Sequence, residues 1–393
     1  MNKKRYLALA LSLLLLLAGC GDGVREVTTP TPDAAAPEVT ATPVPVDPGA
    51  PVVGKDYSYA FERYAPEDVV LTVDGVGITW REYFYRVISL VIMVEENIGE
   101  ITSWTEPSML DQTRSMSELV EQDVLDNLRL EGAIRSHASE LGVELSEENM
   151  ATLKTAVDME LEQMRANGYD PETILNSYFL TRESYEQIRS VNYLHANIFN
   201  EMYGEGGEKL PEEDVLSYIE ESGLIFSKHI LINTTTTDET GASVALPEDE
   251  AAAKRALAED ILAQINAAED KNAKFDELMN EYSEDPGLAT YPLGYVFNAS
   301  DSLAPEYREA MEALLPGEYS GLVETQFGYH IITRMEMTPD TVTETVQGKT
   351  ITARYEAAEV HFADQIYSWA DAAVVEFAAG FEDLNCEAIF KRD

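Results

Sequence analysis

The stretch that decides the fold is IFSKHILI, residues 225–232, in which apolar and mostly β-branched side chains predominate. This composition over a short run predicts a β-strand. Further along the chain, YHIITR at residues 329–334 has the same character and is predicted to form a hairpin with residues 320–323. Each of the two longer strands contains one histidine, His229 or His330. The sequence therefore predicts a sheet in which two strands each carry a titratable side chain.

Helices are predicted between these strands, where apolar residues repeat at three- and four-residue spacing. The order βαα-β-α-ββ is typical of a small α+β unit. It comprises a strand at 225–232, helices at 247–268 and near 275–282, a strand at 293–296, a helix at 305–314 and the hairpin of 320–323 and 329–334. The loop at 233–246 contains neither Lys nor Arg, so a phosphate-directed specificity is not expected there.

The flanking regions have helical patterns. Before residue 224, apolar stripes at helical spacing follow a hairpin signal at Asp74-Gly75. A last amphipathic helix presents one apolar face that is expected to dock on these helices, since it has no partner in its own segment, and its residues are Tyr355, Ala358, Phe362, Ile366 and Trp369. We therefore expect a mainly α-helical domain at 58–223, completed by 341–393, with residues 224–340 inserted as an α+β domain.

The first twenty residues have the order of an export signal. A positive segment at Lys3–Arg5 precedes an apolar run at Leu7–Leu17. This run is about half the ~20 residues that a membrane-spanning helix needs. It ends in Leu17-Ala18-Gly19-Cys20, which resembles a bacterial lipobox. The resemblance implies a signal peptide at 1–19 and lipidation of Cys20, and the alternative is an ordinary secretory signal followed by a chance cysteine.

Residues 20–57 are predicted to form a stalk. The segment is rich in Pro, Thr and Ala, and its prolines hold most of it extended. Such a composition cannot bury a core. Behind a lipidated Cys20, it would raise the folded part of the chain above the membrane.

Charge excludes several classes of partner for this 393-residue chain, whose length suggests two or three domains. Lys and Arg number 27 against 72 Asp and Glu, a formal net charge of −45. Nucleic-acid binding depends on cations that neutralise phosphates, so DNA and RNA are excluded as expected partners. The same charge disfavours binding to an anionic membrane surface. Two cysteines, Cys20 and Cys386, can form neither a disulfide framework nor a four-thiolate zinc site.

From residue 224 to residue 337 the chain is similar to a parvulin-type peptidyl-prolyl isomerase. The motifs that carry this resemblance keep their order, and they include Ser227-Lys228-His229-Ile230-Leu231, Tyr282-Ser283-Glu284-Asp285-Pro286, Leu293-Gly294 and Thr325-Gln326-Phe327-Gly328-Tyr329-His330. With the lipobox, the stalk and the helices, the chain resembles a PrsA-type foldase lipoprotein, and its opening hairpin resembles the chaperone domain of SurA-like proteins. The resemblance implies an α+β fold: a parvulin-like small antiparallel sheet with surrounding helices, plus a mainly α-helical chaperone domain.

The resemblance also implies a catalytic set. His229 and His330 correspond to the paired histidines of parvulins, and Asp285 to the position where the family has Cys or Asp. We expect the two histidines to hydrogen-bond each other and Asp285 to face the rotating carbonyl. The alternative is that His229 and His330 are a core pair that only joins two strands.

Four further residues are implied in substrate binding. Leu303, Tyr307 and Phe327 would form an apolar cup for the proline ring, with Thr325 on its polar edge. Tyr307 stands where the family often has Phe, so its hydroxyl needs water or a partner. If only the shape of the cup matters, Tyr307→Phe should keep or raise activity.

Rotation about an X–Pro bond breaks no covalent bond, so neither a metal nor another cofactor is expected. The sequence thus favours an isomerase on the extracytoplasmic face of the cell membrane, anchored there through Cys20. Its expected partners are unfolded or partly folded exported proteins that contain proline. The alternative is a holdase chaperone with a weakly active or inactive parvulin domain. A solute-binding lipoprotein would normally need two large α/β lobes, which this sequence lacks. Whether two copies form a homodimer is left open.

Overall fold

A computed structural model of the chain describes residues 57–237, 241–346, 348–381 and 385–391. The predicted signal peptide, Cys20 and the stalk up to residue 56 lie outside this part of the chain. Among the described residues, every helix is too short or too polar to span a bilayer.

The described chain forms two compact units. The first unit extends to Met202 and resumes at Phe362, and the second comprises Tyr203–His361. The second unit therefore contains the predicted isomerase segment, 224–340, together with flanking residues on both sides. The domain limits given by the sequence, 224–340 for the inserted domain and 58–223 with 341–393 for the helical one, stay predictions.

The chain contains helices and strands in both units. In chain order the helices are α1 Ser58–Phe61, α2 Trp80–Ile98, α3 Met116–Glu140, α4 Glu147–Ala166, α5 Pro171–Ser177, α6 Arg182–Tyr203, α7 Glu212–Glu221, α8 Glu248–Ala267, α9 Lys271–Tyr282, α10 Pro305–Ala313, α11 Ala353–Ala372 and α12 Cys386–Phe390. The strands are β1 Val69–Val73, β2 Val76–Thr79, β3 Ile225–Asn233, β4 Thr235–Thr237, β5 Ser243–Ala245, β6 Tyr295–Phe297, β7 Val323–Glu324, β8 Gly328–Met335, β9 Val342–Val346, β10 Lys349–Thr352 and β11 Val375–Phe377.

The first unit is mainly helical, and local capping residues begin its helices. Thr79 accepts a hydrogen bond from the backbone of Glu82 in a capping box at the start of α2. Ser146 caps α4 in the same way. The predicted hairpin at Asp74-Gly75 joins β1 and β2, and β11 pairs with the other edge of β1.

Aromatic side chains contribute to the core of the first unit. Trp80, Tyr83 and Phe84 of α2 are almost fully buried, within a cluster that also takes in Ile389 and Phe390 of α12. The end of α11 belongs to this unit. There the ring of Trp369 stacks on His137, with 4.1 Å between their centroids, and Phe362 packs on His195 and Phe199, so these apolar side chains of α11 are covered.

The second unit is built on a four-stranded antiparallel sheet with the order β6-β3-β8-β7. One face of β3 and β8 is buried against α8 and α9, through Ile230, Ile232 and Ile331 on the sheet and Ile261 and Phe275 on the helices. Because side chains alternate along a strand, the residues between these apolar ones point to the opposite face. That opposite face carries both histidines.

Four details of this unit differ from the predicted elements. The loop after β3 contains the short hairpin of β4 and β5, and a further hairpin of β9 and β10 precedes α11. The predicted strand at 293–296 begins only at Tyr295, because Gly294 has φ +111° and a Cβ there would lie 2.7 Å from the carbonyl oxygen of Ser227. In place of the predicted strand at 320–323 the structure has the two-residue strand β7, which shares only Val323 with it.

Candidate active site

The register of β3 and β8 brings His229 and His330 together. Leu231 is opposite His330, and His229 is opposite Ile332. Residues directly opposite each other in an antiparallel pair share a face, and so do residues two apart on one strand. The two imidazole rings therefore lie side by side, with 5.3 Å between their centroids.

Asp285 is held beside this pair by a turn. It caps the 3₁₀ turn Pro286–Ala289, where its Oδ1 accepts a hydrogen bond from the backbone N–H of Gly287 at 3.2 Å. Its Oδ2 accepts a hydrogen bond from the hydroxyl of Tyr295 and lies 3.4 Å from Nε2 of His229. The predicted catalytic residues His229, Asp285 and His330 thus form one cluster.

The prediction that the two histidines hydrogen-bond each other is wrong. Nδ1 of His229 instead shares a hydrogen bond with the hydroxyl of Tyr307 at 3.1 Å, and Nε2 of His330 shares one with the hydroxyl of Thr325 at 2.9 Å. Nδ1 of His330 is buried without a hydrogen-bond partner among the described residues. The reason is that each histidine has a closer hydroxyl of the right geometry, which the sequence pattern did not reveal.

Burial keeps the imidazoles and the phenols of this cluster neutral. Burial lowers the pKa of His229, against the opposing attraction of Asp285. Burial and then the neighbouring His229 lower the pKa of His330 to about 4, again against Asp285. The pKa of Tyr307 is raised by burial, and that of Tyr295 by burial and by its hydrogen bond to Asp285. At neutral pH both phenols are therefore protonated donors and both imidazoles are uncharged.

A pocket of about 400 Å³ opens next to the cluster. Its walls include the polar residues His229, Asp285 and His330 and an apolar group of Leu231, Phe297, Leu303, Ala304, Tyr307 and Phe327. The three residues predicted to form the proline cup are thus brought together with the catalytic set. Thr325, predicted on the polar edge of the cup, does not line the pocket, because its hydroxyl is buried against His330. The roles of all seven residues stay predictions.

Sequence reasoning missed three residues of the site. Tyr295 donates to Asp285, Phe297 lines the pocket, and the hydroxyl of Ser227 lies 3.3 Å from that of Tyr307. A signal for all three exists in strand alternation, since Tyr295 and Phe297 are two apart on one short strand and share a face. Ser227 lies two residues before His229 on β3, and the same alternation places it on the site face.

The next question is whether the described side chains could bind a metal ion. The described part of the chain contains no group of three or more His, Cys, Asp and Glu side chains that could hold a metal ion.

Known proteins resemble this chain. Residues 229–336 match the rotamase family, described as the PPIC-type PPIASE domain. Over 155 residues the chain is 33% identical to Chaperone SurA of Thiobacillus denitrificans, which covers 39% of this chain and 35% of that protein. Over 265 residues it is 25% identical to Foldase protein PrsA of Halalkalibacterium halodurans, which covers 67% of this chain and 63% of that protein. The chain thus matches about a third of the length of this SurA and less than two thirds of the length of this PrsA.

A solved structure of PrsA from Bacillus subtilis is also similar. It is 18% identical over an alignment that covers 78% of this chain and 91% of that chain, with a TM-score of 0.24. The family match coincides with the unit that holds the pocket, and the α+β architecture agrees with it. The chain therefore carries a PPIC-type, or parvulin-type, peptidyl-prolyl isomerase domain and is a relative of the PrsA foldases and SurA chaperones.

Proposed function

We propose that this chain is a peptidyl-prolyl cis–trans isomerase that assists the folding of exported, proline-containing proteins. The observation that carries the proposal is the pocket of about 400 Å³, in which apolar walls face a cluster of His229, Asp285 and His330. The match of residues 229–336 to PPIC-type domains supports it. The names of the relatives, foldase and chaperone, support the choice of unfolded polypeptides as substrates.

The apolar wall would bind the proline ring. Leu303, Phe297 and Phe327 offer carbon surface in the pocket wall, and Phe327 is 48% exposed, so a client can reach it. Contact with this surface removes water from the ring and fixes one side of the X–Pro bond. The carbonyl on the other side stays free to rotate.

Asp285 would favour the twisted amide over the planar one. In a planar amide, resonance places negative charge on the carbonyl oxygen, and twisting returns that charge to the nitrogen. A carboxylate beside the oxygen therefore destabilises the planar state more than the twisted state, which lowers the barrier. The neutral imidazoles bring no positive charge that would cancel this effect.

We also propose that the chain is anchored on the extracytoplasmic face of the cell membrane through acylated Cys20. The support is the lipobox pattern of Leu17-Ala18-Gly19-Cys20 after a short apolar run. Two acyl chains suffice for stable anchoring. Cys20→Ala should move the protein out of the membrane fraction, and retention there with unchanged acylation would contradict the anchor.

Holding of unfolded chains is a second candidate function. Between α2 and α3 of the first unit, Met109 is 74% and Leu110 is 55% exposed, so both can contact apolar segments of a client. Suppression of client aggregation by an isomerase-inactive variant, and its loss in Met109→Ser/Leu110→Ser, would assign this function. Sedimentation of the intact chain would test the homodimer that the sequence left open.

The isomerase proposal is tested by exchange NMR of an Ala-Pro peptide with the full chain lacking its signal peptide. We expect faster cis–trans exchange without added metal or nucleotide. Leu303→Asp places a charge in the pocket and should abolish the acceleration. Its matched control is Leu315→Asp, because Leu315 is 65% exposed and does not line the pocket. A folded wild type that gives no acceleration would refute the enzyme and leave the holdase.

A further inference from the structure

A buried row of hydrogen-bonding side chains stands behind the pocket. The hydroxyl of Tyr307 lies between Oγ of Ser227, at 3.3 Å, and Nδ1 of His229, at 3.1 Å. On the other side of the imidazole, Nε2 lies 3.4 Å from Oδ2 of Asp285. Tyr307 is 4% exposed and Ser227 is fully buried, so water cannot readily replace either contact. The row joins the core of the sheet to the carboxylate in the pocket.

The chemistry of the end groups gives this row one direction. A carboxylate only accepts hydrogen bonds, and Oδ2 of Asp285 already accepts one from Tyr295. A neutral imidazole has one N–H and one lone pair, and the adjacent carboxylate favours the N–H on Nε2. Nδ1 of His229 is then an acceptor, so the hydroxyl of Tyr307 must donate to it. The hydroxyl of Ser227 is left to donate to Tyr307.

The other tautomer is disfavoured while Tyr307 keeps its hydroxyl. A proton on Nδ1 would point the lone pair of Nε2 at the carboxylate of Asp285 and leave the carboxylate facing a second acceptor. Tyr307 would then have to accept from Nδ1 and send its own proton to Ser227, whose hydroxyl has no second partner in the row. The direction that begins at Ser227 is the one in which every donor meets an acceptor.

On these contacts we propose that Tyr307 is a positioning residue, which holds His229 in the tautomer with its proton on Nε2 and so directs that N–H toward Asp285. The inference rests on the proposed isomerase function. In this role the hydroxyl of Tyr307 acts on His229, whereas the ring alone would only add apolar surface to the pocket wall. Asp285 then meets the rotating carbonyl as a carboxylate held by hydrogen bonds from Gly287 and Tyr295 and faced by the N–H of His229, rather than as a mobile charge.

Tyr307→Phe tests the proposal, because it keeps the ring in the pocket wall and removes only the donor. The first readout is the ¹⁵N NMR spectrum of the His229 imidazole, whose two nitrogens report the tautomer directly. We expect the wild type to be protonated on Nε2 and the variant to be a mixture. The second readout is exchange of an Ala-Pro peptide, in which kcat/KM should fall roughly threefold to tenfold, the range of one lost buried hydrogen bond.

Tyr319→Phe is the matched control. It also removes one phenol hydroxyl, which donates to Asn272, and Tyr319 packs with Phe275 on the opposite face of the sheet. This variant should leave both the His229 tautomer and turnover unchanged.

Two results would overturn the positioning role while leaving the isomerase in place. One is an active wild type whose tautomer and turnover are unaffected by Tyr307→Phe. The other is a change in only one of the two readouts, since the proposal ties turnover to the tautomer. An inactive wild type would instead refute the proposed function, and a wild-type His229 protonated on Nδ1 would refute the direction of the row whatever the activity.

Discussion

Each unit buries a cluster of polar side chains, but the two clusters are built from different interactions. In the first unit, Arg86 pairs with Glu131 and Arg135 pairs with Glu82 at 3.0 Å, so formal charges cancel between neighbouring helices. In the second unit, the cluster around His229 holds one carboxylate among neutral donors. The first arrangement joins helices, whereas the second leaves a negative charge at the wall of a pocket.

The comparison indicates which buried polar groups serve stability and which serve chemistry. The paired charges of the first unit are compensated by their partners, and none of the four residues lines the pocket. Asp285 and His330 border the pocket, and one nitrogen of His330 has no partner among the described residues. A polar group that is incompletely satisfied at the edge of a cavity is the better candidate for function.

Removing one member of a buried ion pair should have the largest effect. Glu131→Ala leaves the guanidinium of Arg86 buried without its partner and should lower the free energy of unfolding by roughly 3–5 kcal/mol. All three tryptophans, Trp80, Trp104 and Trp369, lie in the first unit, so tryptophan fluorescence during denaturant unfolding measures that unit.

The control for this measurement is Glu162→Ala. Its ion pair with Arg165 is exposed on both sides, so the loss should stay below about 1 kcal/mol. Equal losses in the two variants would contradict the structural role assigned to the buried pair. A fall in isomerase turnover per folded molecule of Glu131→Ala would contradict the separation of roles between the clusters.

The second-largest effect should come from acidification, which we expect to destabilise the polar cluster of the second unit. The pKa of His330 is about 4 in the folded chain and 6.5 in the unfolded chain, so the unfolded state binds more protons between these values. The stability due to neutral His330 is therefore present above pH 6.5 and is lost as the pH falls toward 4. The shift corresponds to a loss on the order of 3 kcal/mol.

Hydrogen exchange of the β3 and β8 amides at pH 7.5 and pH 4.5 measures this loss. His330→Asn removes the titrating group, and its stability should change less over the same interval than that of the wild type. The two proteins differ only at this position, so the difference between their pH dependences reports the contribution of the His330 imidazole. The same pH dependence in the two proteins would show that His330 does not titrate as described.

The smallest expected effect is on turnover alone. Asp285→Ala removes the carboxylate beside the rotating carbonyl and should lower kcat/KM about tenfold, equivalent to about 1.4 kcal/mol. The fold should persist, since the sheet and its apolar face are unchanged. Asp276→Ala is the control, because Asp276 pairs with the side chain of Lys228 and does not line the pocket. Unchanged turnover in Asp285→Ala, measured by peptide exchange, would remove Asp285 from the mechanism.

Much of the fold could be predicted because its signals are local. The capping residues Thr79 and Ser146 begin helices where the sequence indicated, and Asp74-Gly75 forms the predicted turn. These features depend on neighbours within a few residues. The β9–β10 hairpin was missed although Val342–Val346 and Lys349–Thr352 are rich in β-branched residues, which is the usual signal of a strand.

Most residues of the site could also be predicted from the sequence. The motifs around His229, Asp285 and His330 pointed to one cluster, and the pocket joins them to Leu303, Tyr307 and Phe327. The choice of hydrogen-bond partners was not within reach. It depends on which side chains the sheet register and the turn at Pro286 bring within about 3 Å of each other, and such distances are not encoded in spacing along the chain.

Whether a feature could be predicted from the sequence depends on the range of the interactions that determine it. Helix caps, turns and strand patterns are determined by short-range sterics and hydrogen bonds, so the amino-acid sequence alone was enough to place them. The partners of His229 and His330, the donor from Tyr295 to Asp285 and the exclusion of Thr325 from the pocket wall were decided only by tertiary packing. Burial makes the difference, because a polar atom removed from water must take whichever partner the folded chain places beside it.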